Sequence, residues 1–204
     1  MIFSSLEFIA FFLIFVLALL VFRNHQRVII ILFSFIFYSY WKPIFSLIII
    51  YLILISYFSV KKNVQLKLAI PLLLVPLIYF KYSFFLSQIL KVEEITFLSY
   101  SNNLPLGISF ITFTAIALLV DIKKKVFQES ITLSKLSEFI FYFPQLIAGP
   151  ILRGNELIPL LRKKISFKKE NIKFGILLFL IGFSKKYFLL IQLVNLLTLF
   201  FLIH

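Results

Sequence analysis

Long apolar runs cut by short basic clusters constrain this chain more than any single residue does. The runs lie near residues 5–22, 28–60, 66–80, 104–120 and 174–203. Between them come Arg23 to Arg27, "KKNVQLK" (61–67), Lys123-Lys124-Lys125 and "RKKISFKKENIK" (162–173). Soluble domains are about half apolar, whereas 62% of these 204 residues are hydrophobic and the mean hydropathy is +1.07. A soluble fold of this size has too little interior to hide that surface. The pattern therefore predicts an all-α, polytopic transmembrane protein, one transmembrane domain over 1–204, with the lipid bilayer as its first partner.

Charge supports the same reading. Lys and Arg number 21 against 8 Asp and Glu, a net +13. In a soluble chain that excess would suggest nucleic acid. Here the cations cluster between apolar runs, as they do in cytoplasmic loops, so no nucleic-acid partner is expected. Cysteine is absent, which removes disulfides and thiolate chemistry. His25 and His204 are too far apart in sequence to suggest a metal site, and no bound cofactor is expected. The first 22 residues lack a basic leader, carry Glu7 and show no small-residue cleavage site. They read as a retained span rather than a signal peptide.

Residues 28–60 exceed one span and break at Trp41-Lys42-Pro43, because proline removes a helix donor and disfavours helix before it. Two spans result, 28–41 and 43–60, with Tyr38, Tyr40 and Trp41 as an interfacial aromatic belt. The next run, 66–80, holds Pro71 and Pro76. Residues 81–103 suit an interfacial amphipathic helix plus a loop. Applying the positive-inside rule with the N-terminus outside puts loops 23–27, 61–67, 123–136 and 162–173 in the cytoplasm. The loop 81–103, with Glu93 and Glu94, falls outside.

That leaves residues 137–161 between two cytoplasmic loops, too few to cross the bilayer twice. This stretch contains "FPQLIAGPILRGNELIPLL" (143–161), whose Pro144, Gly149-Pro150 and Pro159 are expected to break a re-entrant helical hairpin. Irregular backbone at membrane depth is tolerated only where protein or water encloses it. Arg153 precedes Glu156 by three residues, a helical pairing distance. Arg153 either snorkels at the cytoplasmic interface or lines an internal cavity. Gln145 either satisfies carbonyls freed by the prolines or lines the same cavity. Gly107, Ser109, Thr112 and Thr114 in "LGISFITFT" allow close helix packing or line a tunnel. Lys185-Lys186 interrupts the last run and marks an interface, making 174–184 short or tilted.

"LPLGISFITFTAIALLVDIKKK" (104–125) followed by "FPQLIAGPILRGNELIPLL" resembles the membrane-bound O-acyltransferase family. The similar branch comprises bacterial enzymes that O-acetylate alginate, peptidoglycan and other envelope polysaccharides. "MIFSSLEFIAFFL", "FYSYWKP" (37–43), "YFKY" (79–82) and "FLIGFSKK" (179–186) carry the same resemblance. It covers about residues 1–186 and leaves 187–204 divergent.

The resemblance implies the N-terminal portion of that fold. It also implies a bacterial inner (cytoplasmic) membrane location, an acetyl-CoA or other acetyl-carrier donor, and a polysaccharide acceptor. A C-terminal half encoded downstream and an extracytoplasmic acetyltransferase are the implied protein partners. Pro144, Gln145, Gly149, Pro150, Arg153 and Glu156 become candidate tunnel residues, with Arg153 facing the donor's polar head. The family's membrane-embedded catalytic histidine has no match among 1–204, so no catalytic residue is expected in this chain and inactivity alone is. Two other readings stay open: a non-enzymatic transporter or channel subunit, and a decayed gene remnant. The lack of an inverted repeat weighs against a transporter.

Overall fold

The computed structural model describes residues 5–82, 85, 104–126, 131–146, 153–163, 165 and 168–203. Among them every regular element is helical. In chain order these are α1 (Leu6–Val21), α2 (Gln26–Trp41), α3 (Ser46–Lys61) and α4 (Leu66–Leu77). They continue with α5 (Ile108–Lys123), α6 (Leu133–Ile140), α7 (Phe143–Leu146), α8 (Gly154–Arg162) and α9 (Lys169–Ile203). Short 3₁₀ turns at Arg23–His25 and Pro43–Phe45 join α1 to α2 and α2 to α3. Two compact units result: one holds Ala10–Lys164, the other Ile2–Ile9 with Ile165–His204.

In the first unit α3 is central, packing against α4, α5 and α6. Lys42 is extended (φ −157°, ψ 114°). It breaks α2 from α3 at the predicted Trp41-Lys42-Pro43 site, where Pro43 enters the 3₁₀ turn as its first residue. Pro43–Lys61 is the one helix among the described residues long and apolar enough to cross a membrane unaided. Leu6–Val21 and Arg23–Tyr40 pass the same test only as a pair, bent by 104°. A bend at Phe22 follows from the polar residues after it, Arg23, Asn24 and His25, where the apolar run ends.

Proline chemistry explains a tyrosine. Pro76 lies inside α4 and cannot donate to the carbonyl of Leu72, four residues back. The Tyr51 hydroxyl of α3 donates to that carbonyl instead, at 2.9 Å. Beyond Leu77 the chain widens into a π turn, Ile78–Tyr82. Such turns concentrate at functional sites.

Three sequence expectations change here. Tyr38 is not an interfacial belt residue: it is buried, and its hydroxyl donates to the Leu106 carbonyl at 3.1 Å. Pro159 does not break the chain, because α8 runs through it. It is exposed, so solvent can take the carbonyl it leaves unpaired. Lys185-Lys186 does not interrupt α9, which stays helical over 35 residues. Lysine is a good helix former, and a charge that breaks a hydropathy run need not break a helix. Most of the segment 81–103 lies outside the described residues.

Candidate functional site

The family-like motifs, far apart in sequence, meet around one stretch of chain, residues 133–146. Its lower end is set by charge. Thr132 caps α6, its hydroxyl accepting from Lys135 N–H. Two turns on, Glu138 is 3% exposed and its Oε2 accepts from Arg27 Nε at 3.0 Å. Arg27 opens α2 and is about two-fifths exposed, so the pair is a guanidinium at the surface holding a carboxylate inside. The other oxygen of Glu138, Oε1, has no hydrogen-bond partner among the described residues.

From there the chain climbs α2. α6 ends at Ile140, and α7 begins with a helix terminus whose first N–H groups need partners. Phe143 N–H donates to Ser34 Oγ at 3.1 Å, in the buried middle of α2. Pro144 has no N–H to satisfy. Gln145 N–H donates to the Tyr142 carbonyl at 3.0 Å. Phe143 itself is 1% exposed inside an aromatic box. It meets Phe11 and Phe15 of α1 edge-on (5.5 and 5.0 Å, 81° and 87°) and Phe37 of α2 at 5.5 Å. Edge-to-face pairs of this kind are favoured by the ring quadrupole.

The upper end is set by a glycine. Gly107 caps α5 with φ 66° and ψ 15°, and a Cβ there would collide with the Leu146 carbonyl oxygen. The positive φ and the close approach both require glycine. Gly107 follows Leu106, the residue Tyr38 holds. So between Glu138 and Leu146 the segment passes Arg27, Ser34 and the Tyr38 level of α2. That climb is about 16 Å at 1.5 Å per residue.

"FYSYWKP", "LPLG" and "FPQL" therefore touch at one place. "YFKY" joins them through Lys81 Nζ, which donates to Ser109 Oγ at 3.4 Å. At the other end of α5, Lys123 Nζ donates to Asn63 Oδ1 at 2.7 Å, tying together two of the basic loops. Thr112 and Thr114 are buried between helices, and the Thr114 hydroxyl returns to the Phe110 carbonyl. Small polar side chains there serve close packing.

The other predicted site residues fall as follows. Gln145 is buried, whereas Pro144, Arg153 and Glu156 are exposed. Arg153 caps α8 and Glu156 lies in its first turn, their backbones joined at 3.0 Å. Their side chains form no ion pair with each other. Gly149 and Pro150 lie outside the described residues. α8 packs back on α6 and α5, so the chain returns beside the stretch that rose. Glu138 and Phe143 escaped the sequence reading. The only available signal was a lone carboxylate in the apolar run "SEFIFYF".

Comparison with known proteins gives relatives of one kind. The probable alginate O-acetylase AlgI of Pseudomonas aeruginosa is 28% identical over 207 residues, covering 93% of this chain and 40% of the relative. The same protein of Pseudomonas putida is 29% identical over 93% of this chain and 42% of its own length. A peptidoglycan O-acetyltransferase of Helicobacter pylori is 29% identical over 77% of this chain and 37% of its own. The chain thus spans about two fifths of the curated relatives it matches. No family model and no solved structure matches it.

Proposed function

We propose, on the premise that this chain belongs with the bacterial polysaccharide O-acetyltransferases of the membrane-bound O-acyltransferase family, that it forms the scaffold part of such an enzyme. The enzyme would move an acetyl group from a cytoplasmic carrier to a hydroxyl of an envelope polysaccharide. The observation that carries this is the meeting of three family-like motifs, "FYSYWKP", "LPLG" and "FPQL", at the end of residues 133–146. A stretch that rises beside α2 and returns through α8 suits the wall of a passage between the two faces of a membrane. It also buries Phe143, Gln145 and Leu146 on either side of the exposed Pro144.

In this reading the protein is multi-pass in the inner membrane with its N-terminus outside. The Lys123–Asn63 contact joins two predicted cytoplasmic loops, and Arg27–Glu138 ties a third to the start of the hairpin, which supports placing those loops on one side. Acyl transfer to a hydroxyl needs a general base beside it. His25 lies in the exposed Arg23–His25 turn and is a poor candidate. The base would come from a further segment, supplied by a second polypeptide or a longer chain.

The test is acetyl ester on the polysaccharide of cells that carry this chain alone, or with the remaining three fifths of a relative. Acetylation is expected only in the second case, and acetylation by residues 1–204 alone would refute the reading. In the active combination, Arg153→Ala is expected to impair acetylation at normal protein level. Unchanged acetylation would make Arg153 an interfacial anchor. A cysteine replacing Lys124 should resist an impermeant thiol reagent added to intact cells, and labelling would reverse the orientation.

A further inference from the structure

Helices α3 and α5 end in the same way. In α3, Val64 N–H donates to the Ser59 carbonyl at 3.0 Å and Asn63 N–H to the Val60 carbonyl at 3.2 Å. In α5, Val126 N–H donates to the Asp121 carbonyl at 3.0 Å and Lys125 N–H to the Ile122 carbonyl at 3.0 Å. Both are Schellman caps, with a left-handed residue just past the helix. That residue is Asn63 (φ 50°) in one and Lys125 (φ 54°) in the other. Lys123 Nζ donates to Asn63 Oδ1 at 2.7 Å, so the two caps are tied side by side. Three observations bear on what they hold. First, Lys61, Lys62, Lys123, Lys124 and Lys125 flank the tie, and Asp121 is the one acid in residues 57–67 and 119–126. Second, Lys125 is exposed and stands where glycine or asparagine would be cheaper. The cap itself therefore gives no reason for a lysine there. Third, the site has a depth. α3 belongs to Pro43–Lys61, the described helix able to cross a bilayer. Its last lysines fold back over rings one turn inside it, Lys61 Nζ 5.6 Å from Tyr57 and Lys62 Nζ 5.9 Å from Phe58. Aromatic rings and lysines at the end of a span belong to the headgroup level. Fixed ammonium groups at that depth match one ligand chemistry, the phosphate of an anionic lipid.

We propose that the joined ends of α3 and α5 bind the headgroup of an anionic phospholipid, with Lys61 and Lys62 on one side and Lys124 and Lys125 on the other. The Lys123–Asn63 tie keeps the two sides together, and the two caps fix where the lysines leave the backbone. The proposal rests on the membrane reading above, but concerns a site that the acyl-transfer reading does not use.

The experiment uses the whole chain in phosphatidylcholine vesicles. Trp41 is the one tryptophan, so Trp41→Phe followed by Phe58→Trp puts a single fluorophore beside the site and keeps a ring for Lys62. Leu13→Trp in the same background reports ordinary lipid contact at an exposed position of α1. Equal shares of brominated phosphatidylglycerol or brominated phosphatidylcholine are then compared as quenchers. Phosphatidylglycerol should be the stronger quencher at residue 58 and no stronger at residue 13. Lys125→Asn should lower that preference about fivefold with no loss of thermal stability, because asparagine suits a left-handed cap. Adding Val126→Lys to Lys125→Asn restores the net charge but not its position, and should leave the preference low. Recovery of the preference in that double variant would mean a diffuse cationic surface and overturn the built site. Equal quenching at residue 58 by both lipids would overturn the lipid site while leaving the membrane reading intact. Absence of quenching at both positions would overturn both. Pyrophosphate that binds the chain in pure phosphatidylcholine and is not displaced by phosphatidylglycerol would assign the lysines to a soluble polyphosphate and overturn the proposal.

Discussion

Residues 133–146 and helix α9 are both strongly apolar, yet the structure treats them differently. In the first, Leu136, Glu138, Phe139, Ile140, Phe143, Gln145 and Leu146 are all buried. In the second, every side chain described from Lys168 to Gln192 is exposed. The difference lies in specific long-range partners rather than hydrophobicity. Glu138 has Arg27, Phe143 has Ser34 and an aromatic box, and Leu146 has Gly107. α9 has ring contacts along its own length, Phe179 on Phe183 and Phe183 on Tyr187.

The sharpest way to break the contrast is to remove a ring from each region. Phe143→Ala should cost about 3–5 kcal/mol, the range for a buried aromatic, read as lost thermal stability of the detergent-solubilised chain. Phe179→Ala should change it by less than about 0.5 kcal/mol.

Glycine gives the second test, with opposite signs in the two regions. Gly107→Ala meets both a left-handed backbone and the Leu146 carbonyl, and should destabilise by about 3 kcal/mol. Gly175→Ala in α9 meets nothing within 4 Å, and should raise helix stability by up to about 1 kcal/mol. Equal effects at the two glycines would mean that the Gly107–Leu146 approach is absent.

Arg27→Ala strands a buried carboxylate. Breaking a buried pair costs about 3–5 kcal/mol, but Arg27 is two-fifths exposed, so solvent reduces the expected loss to about 2 kcal/mol. Glu138→Gln added to Arg27→Ala should restore part of it, since the neutral amide is cheaper to bury. Arg153→Ala, at an exposed helix start, should stay within about 0.5 kcal/mol. Ser34→Ala should cost about 1 kcal/mol, from one unsatisfied N–H at Phe143. Faster hydrogen exchange at the Phe143 amide would be its direct signature.

Much of the molecule was determined locally. The break at Lys42-Pro43, the helix 43–61 and the need to interrupt the chain at Pro144 follow from proline's missing donor and from span length. Those are properties of a residue and its immediate neighbours. The requirement for glycine at 107 is local in part, since a left-handed cap favours glycine anywhere. Its second reason, Leu146, lies far along the chain. Only the tertiary structure decided which arginine would meet which glutamate. Arg153 and Glu156 had helical spacing and stayed apart, while Arg27 and Glu138 were 111 positions apart and paired. Spacing describes one helix face, whereas burial forces a carboxylate to find whatever cation the fold brings to it. The same holds for Tyr38, which the sequence offered as an interfacial aromatic. Its ring lies inside, and its hydroxyl meets the Leu106 carbonyl, 68 positions along the chain.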